Sequence, residues 1–386
     1  MDVKDNFLYI VLRVSNWFTN RIIDSFFKVY NKNKTPLIER FFAKFFKAIN
    51  FLSSPYRRLF RYYIYDIADE IVDEEYLEDD IGIVIQGPLA KEMTLITALR
   101  YRRLCPYAPI VISTWKQDAL LSESFKQICT DNNIDIVTSI FPDQRIKWNL
   151  NLQVTTSHNG VEYICRKYTK LKYILKCRTD QIILRRDFPF ILKNALEMFP
   201  PIGDAVTSRV VFLGARNSYK YTPFDLSDFL IFGEKTYVRM MYDIPKLDIK
   251  ERHEKILLDV KNKINAYEKN NIRAVNMYDK EKIKQWSRLS ATFDFPEIYL
   301  ARNFYNKIAG DIIAERNIQT YWSFLKRYAI IIDSNLLMMY WPKYFEGYRI
   351  FSAYIPNTGE CGGLDYATWL DIYLHYDEAT GLISDY

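Results

Sequence analysis

From residue 81 onward, short apolar runs alternate with longer stretches of helical spacing, and this alternation limits the fold more than any other feature. Ile81–Gln86 (IGIVIQ) ends in Gly87-Pro88 and reads as a buried strand and a turn. Thr94–Leu104 has helical spacing, Pro109–Ser113 reads as a second strand, and Ser122–Thr130 as a second helix. Ile134–Val137 is a third strand, and Leu152–Tyr168 is helical with an expected break near Asn159-Gly160. Leu171–Lys176 is a fourth strand leading into Cys177-Arg178-Thr179-Asp180-Gln181. Strands separated by helices pair in parallel through right-handed crossovers, so the body is α/β. Further strands are expected in Asp204–Phe212, Ser227–Gly233 and Ile330–Asp333, and a helix opens at Pro296-Glu297.

Charge divides the chain into parts. Residues 1–65 hold 12 Lys/Arg against 4 Asp/Glu, a net of +8, and residues 66–80 hold nine acids and no base. The expected organisation is a basic helical arm at 1–65, an acidic linker at 66–80, an α/β body at 81–345 and an aromatic tail at 346–386. In the arm, Thr35-Pro36 is a helix start. Leu37, Ile38, Phe41, Phe42, Phe45, Phe46, Ile49 and Leu52 then form an apolar stripe flanked by Arg40, Lys44 and Lys47. That pattern suits an anionic membrane surface, with internal packing as the alternative. No run reaches the roughly 18 apolar residues of a spanning helix, and no secretory signal is visible. The arm's apolar residues form a stripe rather than isolated stacking platforms, which argues against nucleic acid.

Five cysteines without a C-x-x-C pair point to a reducing compartment, and three scattered histidines give no zinc pattern. In open α/β sheets the ligand sits beyond the carboxyl ends of the strands, so the polar residues there are the site candidates. Gln86, Gly87 and Pro88 allow backbone and an amide to approach a ligand. Ser113 and Thr114 offer hydroxyls and Trp115 a stacking ring. Asp143, Asn149, Asn151 and Gln153 form a polar cluster suited to sugar hydroxyls, or to capping. Lys176 and Arg178 share one strand face and can meet phosphate or neighbouring acids. Asp180 is placed to hold a divalent cation against a diphosphate. Asp228, before a strand, and Glu297, opening a helix, are the two acids suited to general-base work, each with a structural alternative.

Taken in order, Ile85-Gln86-Gly87-Pro88, Ser113-Thr114-Trp115, Lys176 through Gln181, Ser227-Asp228-Phe229 and Pro296-Glu297-x-Tyr299-Leu300 resemble the WavE lipopolysaccharide-synthesis family over about residues 81–345. The resemblance implies a GT-A-like nucleotide-sugar-binding fold with a mixed, mostly parallel sheet, here preceded by amphipathic helices. It implies a glycosyltransferase that uses a nucleotide-sugar donor and a lipid-linked lipopolysaccharide or capsule acceptor, peripheral on the inner face of the cytoplasmic membrane. It also implies donor binding by the strand-end residues, Gln181 included, with manganese or magnesium at Asp180 and the acceptor base at Glu297. Arg178 stands where the family's usual pattern has a first acid, and it can itself neutralise the diphosphate. A polyol-phosphate transferase and a non-catalytic membrane scaffold are the alternatives.

Overall fold

The computed structural model describes residues 76–90, 92–142, 150–214, 220, 222–244, 296–310, 317–334, 336–341, 346–347 and 364–383. The chain divides between Ile71 and Val72 into two units, and all the described residues belong to the second. The basic arm, the charged stretch around 247–290, Asp143, Asn149 and the glycines of 359–363 lie outside the described residues.

A seven-stranded sheet forms the centre, in the order β3-β2-β1-β4-β7-β6-β8. Its strands are β1 (Ile81–Gln86), β2 (Ile110–Trp115), β3 (Ile134–Ser139), β4 (Tyr173–Arg178), β6 (Val210–Gly214), β7 (Ile231–Glu234) and β8 (Ala329–Asp333). The two-residue β5 (Ile182–Ile183) leaves it to pair with β9 (Met339–Trp341) in a small second sheet. β1 pairs in parallel with β2 and β4, and β2 with β3, while β7 runs antiparallel to both β4 and β6. β6 and β8 are parallel. The sheet is therefore mixed and mostly parallel, as expected. One consequence positions the site: the segment entering β7 arrives at the same edge where β1, β2, β3 and β4 end.

Every residue of β1 and β2 is buried, because helices cover both faces of the sheet. One face is covered by α3 (Leu150–Lys167), whose Thr156, Gly160 and Ile164 lie along Gln86, Val84 and Gly82 of β1. A Cβ on Gly160 would stand 2.7 Å from both Val84 Cγ1 and Ser113 Cβ. The expected break at Asn159-Gly160 is thus absent. Gly160 lets an unbroken helix approach the sheet, and that contact outweighs its poor helix propensity. The other face holds α1 (Glu92–Leu104), where Tyr101 reaches the Cys177 side of β4. α2 (Glu123–Asp131) is capped by Ser122, whose side chain accepts from the Phe125 N–H.

Other boundaries shift. The strand expected in Asp204–Phe212 begins only at Val210, and Ser227–Leu230 is an irregular approach to β7 rather than part of it. The end of the acidic stretch is folded: the Tyr76 N–H donates to the Leu104 carbonyl, and Lys193 of α4 (Phe188–Met198) pairs with Glu78 and Asp80. α5 (Lys235–Tyr242) follows β7, and α6 (Pro296–Ala309) packs on α5. α7 (Ile318–Tyr328) runs into β8. The aromatic tail contains α8 (Tyr366–His375), whose fully buried Trp369 meets Phe199 edge-on and donates its indole N–H to the Leu325 carbonyl.

Candidate functional site

β1 and β4 end side by side, with Gln86 in register with Arg178. Gly87 turns there at φ +131°, where a Cβ would stand 2.8 Å from Thr179 Oγ1. The Thr179 hydroxyl donates to the Pro88 carbonyl at 2.6 Å, and its N–H to the Gln86 carbonyl. Asp118 accepts from the Leu89 N–H at 2.7 Å. The turn after β1 is therefore rigid, held from two sides.

Alternation along β4 places Lys176 and Arg178 on the α3 face and Cys177 on the other. Lys176 is fully buried, and its ammonium donates to the Asp228 carbonyl at 2.5 Å and reaches the Asp228 carboxylate at 3.5 Å. Burial drives the Lys176 ammonium below the ordinary lysine range. Arg178 grips Asp180 through Nε and Nη2, at 2.9 and 3.0 Å, and lies 5.2 Å from the Phe229 ring centroid. Asp228 is as deeply buried as Lys176, and its Oδ1 has no partner.

Glu297 stands in the first turn of α6, electrostatically adjacent to Asp228, Arg178 and Lys176. Burial first, and the Asp228 charge second, push its carboxyl up to about 7, although its own backbone N–H and the two cations pull the other way. Acids and bases that lie 121 positions apart at the extremes (Lys176 and Glu297) thus meet at one sheet edge.

Two members of the cluster were not anticipated. Asp225 is buried and held far above the carboxylate range by burial and by Glu297. Tyr242 of α5 lies beneath the cluster, its ring centroid 5.6 Å from the Lys176 ammonium. Asp225 was detectable as the first acid of Asp225-Leu-Ser-Asp228. Tyr242 carries no sequence signal, because only the packing of α5 brings it there.

The remaining candidates take other places. Ser113 and Thr114 are fully buried; Ser113 donates to the Thr156 carbonyl at 2.6 Å, and Thr114 faces Asp118 at 3.4 Å. Trp115 is buried and stacks on Phe141 with centroids 4.4 Å apart. Gln86 donates to Thr156 Oγ1 at 2.7 Å while its Oε1, buried at the strand end, has no partner. Asn151 is buried in the first turn of α3, and Gln153 is half-buried beside it. Gln181 turns into the interior, where its carbonyl accepts from Thr97 at 3.3 Å. Among the described residues, no group of three His, Cys, Asp or Glu side chains forms a metal cage. Asp180, the expected cation ligand, instead accepts from Arg178 with both carboxylate oxygens.

A mostly parallel α/β sheet with cations and carboxyls gathered at the carboxyl ends of its strands defines a ligand-handling protein of the open-sheet class. Residues 81–305 match the family model for WavE lipopolysaccharide synthesis, and the chain belongs to that family. Its role lies in polysaccharide synthesis. No curated protein matches the chain. Among solved structures, it is similar to one assigned as a glucose-1-phosphate thymidylyltransferase from Bacillus anthracis, in complex with a sucrose, at 9% identity and a TM-score of 0.28. That match covers 48% of this chain and 83% of the other. A likeness of that size carries no functional weight. No helix of the described residues is long and apolar enough to cross a membrane.

Proposed function

We propose that the protein is a GT-A-like glycosyltransferase that moves a sugar from a nucleotide-sugar donor to a lipid-linked lipopolysaccharide or capsule acceptor. The observation that carries this reading is the convergence of Glu297 with Arg178 at the carboxyl edge of the sheet. In an inverting transfer, the acceptor oxygen attacks the anomeric carbon as the bond to the diphosphate breaks. Glu297 takes the acceptor proton, and Arg178 meets the negative charge developing on the leaving diphosphate. Glu297 suits the base role better than Asp228, which is sealed against Lys176. A carboxyl near 7 is matched to proton abstraction at neutral pH. In this reading Asp180 orients the guanidinium rather than a cation, and transfer proceeds without manganese or magnesium.

The test is a screen of the full chain against nucleotide sugars, read as thermal shift and as release of nucleoside diphosphate. A donor-dependent shift with release on adding a saccharide acceptor supports the proposal. Transfer of a polyol phosphate would make the protein a different transferase. Absence of any nucleotide binding would make it a scaffold. The basic arm suits an acceptor held on an anionic inner leaflet, which supports a peripheral position on the cytoplasmic face.

A further inference from the structure

We propose that Asp180 is a built-in stand-in for the donor diphosphate: its carboxylate holds the Arg178 fork until the diphosphate arrives and takes its place. The inference rests on reading Arg178 as the group that meets the diphosphate. It makes Asp180 a positioning residue that acts through Arg178. Three geometric observations carry it. The first is the shape of the contact. Arg178 donates through Nε and Nη2 to the two Asp180 oxygens, at 2.9 and 3.0 Å. A planar guanidinium grips a carboxylate and a phosphate through the same pair of parallel bonds, so the two anions compete for one edge. The second is what lies between the pair. The Thr179 N–H donates to the Gln86 carbonyl at 3.1 Å, its hydroxyl donates to the Pro88 carbonyl at 2.6 Å, and its carbonyl accepts from the Thr94 hydroxyl at 3.0 Å. The backbone that carries Arg178 and Asp180 is therefore pinned to the end of β1 and to α1, and an exchange of anions needs only side-chain rotation. The third is exposure. The Arg178 and Asp180 side chains keep 18% and 13% of their surface accessible, whereas Lys176, on the same strand face, keeps none. A pair that reaches water can open, while opening the Lys176–Asp228 contact would strand charge in the interior.

The exchange has a thermodynamic consequence. Only molecules whose fork is released can take a diphosphate, so the apparent affinity falls below the intrinsic one by that fraction. As the nucleoside diphosphate leaves, the carboxylate returns to Arg178, and the guanidinium is paired again before the next turnover. A second fork of the same i, i+2 spacing follows β5, where Arg185 holds Asp187 at 2.7 and 3.1 Å, and it serves as an internal control.

The experiment is a calorimetric titration of the full chain with inorganic pyrophosphate, in a chelator so that no cation bridges. Asp180→Asn should bind pyrophosphate about tenfold more tightly than the wild type. Arg178→Ala should bind it more weakly than either. In Arg178→Ala/Asp180→Asn the gain should vanish, because it passes through the guanidinium. Asp187→Asn should leave binding unchanged. Asp180→Ser is measured alongside and should show the same gain, so that poor folding of one variant does not decide the result. If both Asp180 variants bind pyrophosphate no better than the wild type, or less well, Asp180 does not compete for the fork and the inference is overturned. A gain that persists without Arg178, or that Asp187→Asn also gives, reports only the change in overall charge and overturns it too. If Arg178→Ala binds pyrophosphate as the wild type does, the diphosphate is held elsewhere, and the reading of Arg178 fails together with the inference built on it.

Discussion

Arg178 occupies the position where a cation-binding acid is expected, and its fork onto Asp180 changes what the site can do. If the guanidinium meets the diphosphate, Arg178→Ala should lower transfer by about 10²–10³-fold, the usual size of losing one charge-stabilising donor. Arg178→Lys should recover only part of this, because a point charge lacks the planar fork. Transfer should meanwhile persist in a chelator, and loss of activity there would restore the cation reading. Glu297→Gln should reduce transfer by about 10²–10⁴-fold with little change in donor affinity. Glu297 also makes a stability prediction with a definite sign. Its carboxyl is raised from an ordinary 4.5 to about 7, so the native state keeps a proton that the unfolded chain releases. The stability it adds is complete below about 4.5 and is lost as the pH rises through about 7. Glu297→Gln should therefore gain stability over the wild type at pH 8 relative to pH 5, by about 1–3 kcal/mol. Denaturant titrations at the two pH values would show it, and an equal difference at both would reject the raised carboxyl.

At the scale of elements, the site depends on how closely α3 approaches the sheet. Gly160 sits over Val84 and Ser113, and Gly82 of β1 sits under Ile164 and Leu171, where an added Cβ would stand 2.7 Å from both side chains. An exposed helical Gly→Ala change usually gains up to about 1 kcal/mol. Here Gly160→Ala should instead cost about 1–3 kcal/mol, because the methyl group has no free volume and the backbones must part. The displaced helix would carry away Thr156, which holds Gln86 and Ser113. Donor affinity should then fall together with the melting temperature. A stabilised Gly160→Ala protein would show that the contact is looser than described.

At the scale of the molecule, two extensions complete the body. The acidic stretch docks its last residues through Tyr76, Lys193 and Asp80, and the C-terminal α8 packs both Trp369 and Tyr373 edge-on against Phe199. Trp369→Ala should cost about 3–5 kcal/mol, as for other large aromatics removed from a core. The arm's net charge of +8 predicts that the full chain sediments with anionic vesicles but not with neutral ones, and that binding falls steeply with salt. Replacing Arg40, Lys44 and Lys47 with Gln should weaken vesicle binding and leave transfer to a soluble acceptor intact. Unchanged sedimentation would reject these basic residues as the membrane contact.

The α/β class, the first four strands and the place of Gln86 and Arg178 at strand ends were legible in the sequence, because a strand buried on both faces is written as a largely apolar run. Ile81–Gln86 has few other conformations open to it, and the fourth strand, expected at Leu171–Lys176, runs two residues later, at Tyr173–Arg178. Helix starts at Ser122 and Pro296 were legible for a similar reason, since capping and first-turn proline act on adjacent residues. The later strands were legible as strands but not in their bounds. Val210–Gly214 and Ile231–Glu234 obtain their strand state from the neighbours they pair with, and Gly160 reads as a breaker until the sheet it faces is known. Lys176, Asp228 and Glu297 each stood out singly, but local sequence could not show that they meet. Only the antiparallel β7 brings Asp228 to the carboxyl edge, and only the docking of α6 sets Glu297 against it. The same assembly seals Ser113 and Thr114 inside, gives Asp180 to Arg178, and raises Glu297 toward neutrality. Proton affinities and exposure arise from charges and surfaces distant in the chain, so they are decided when the tertiary structure closes around them.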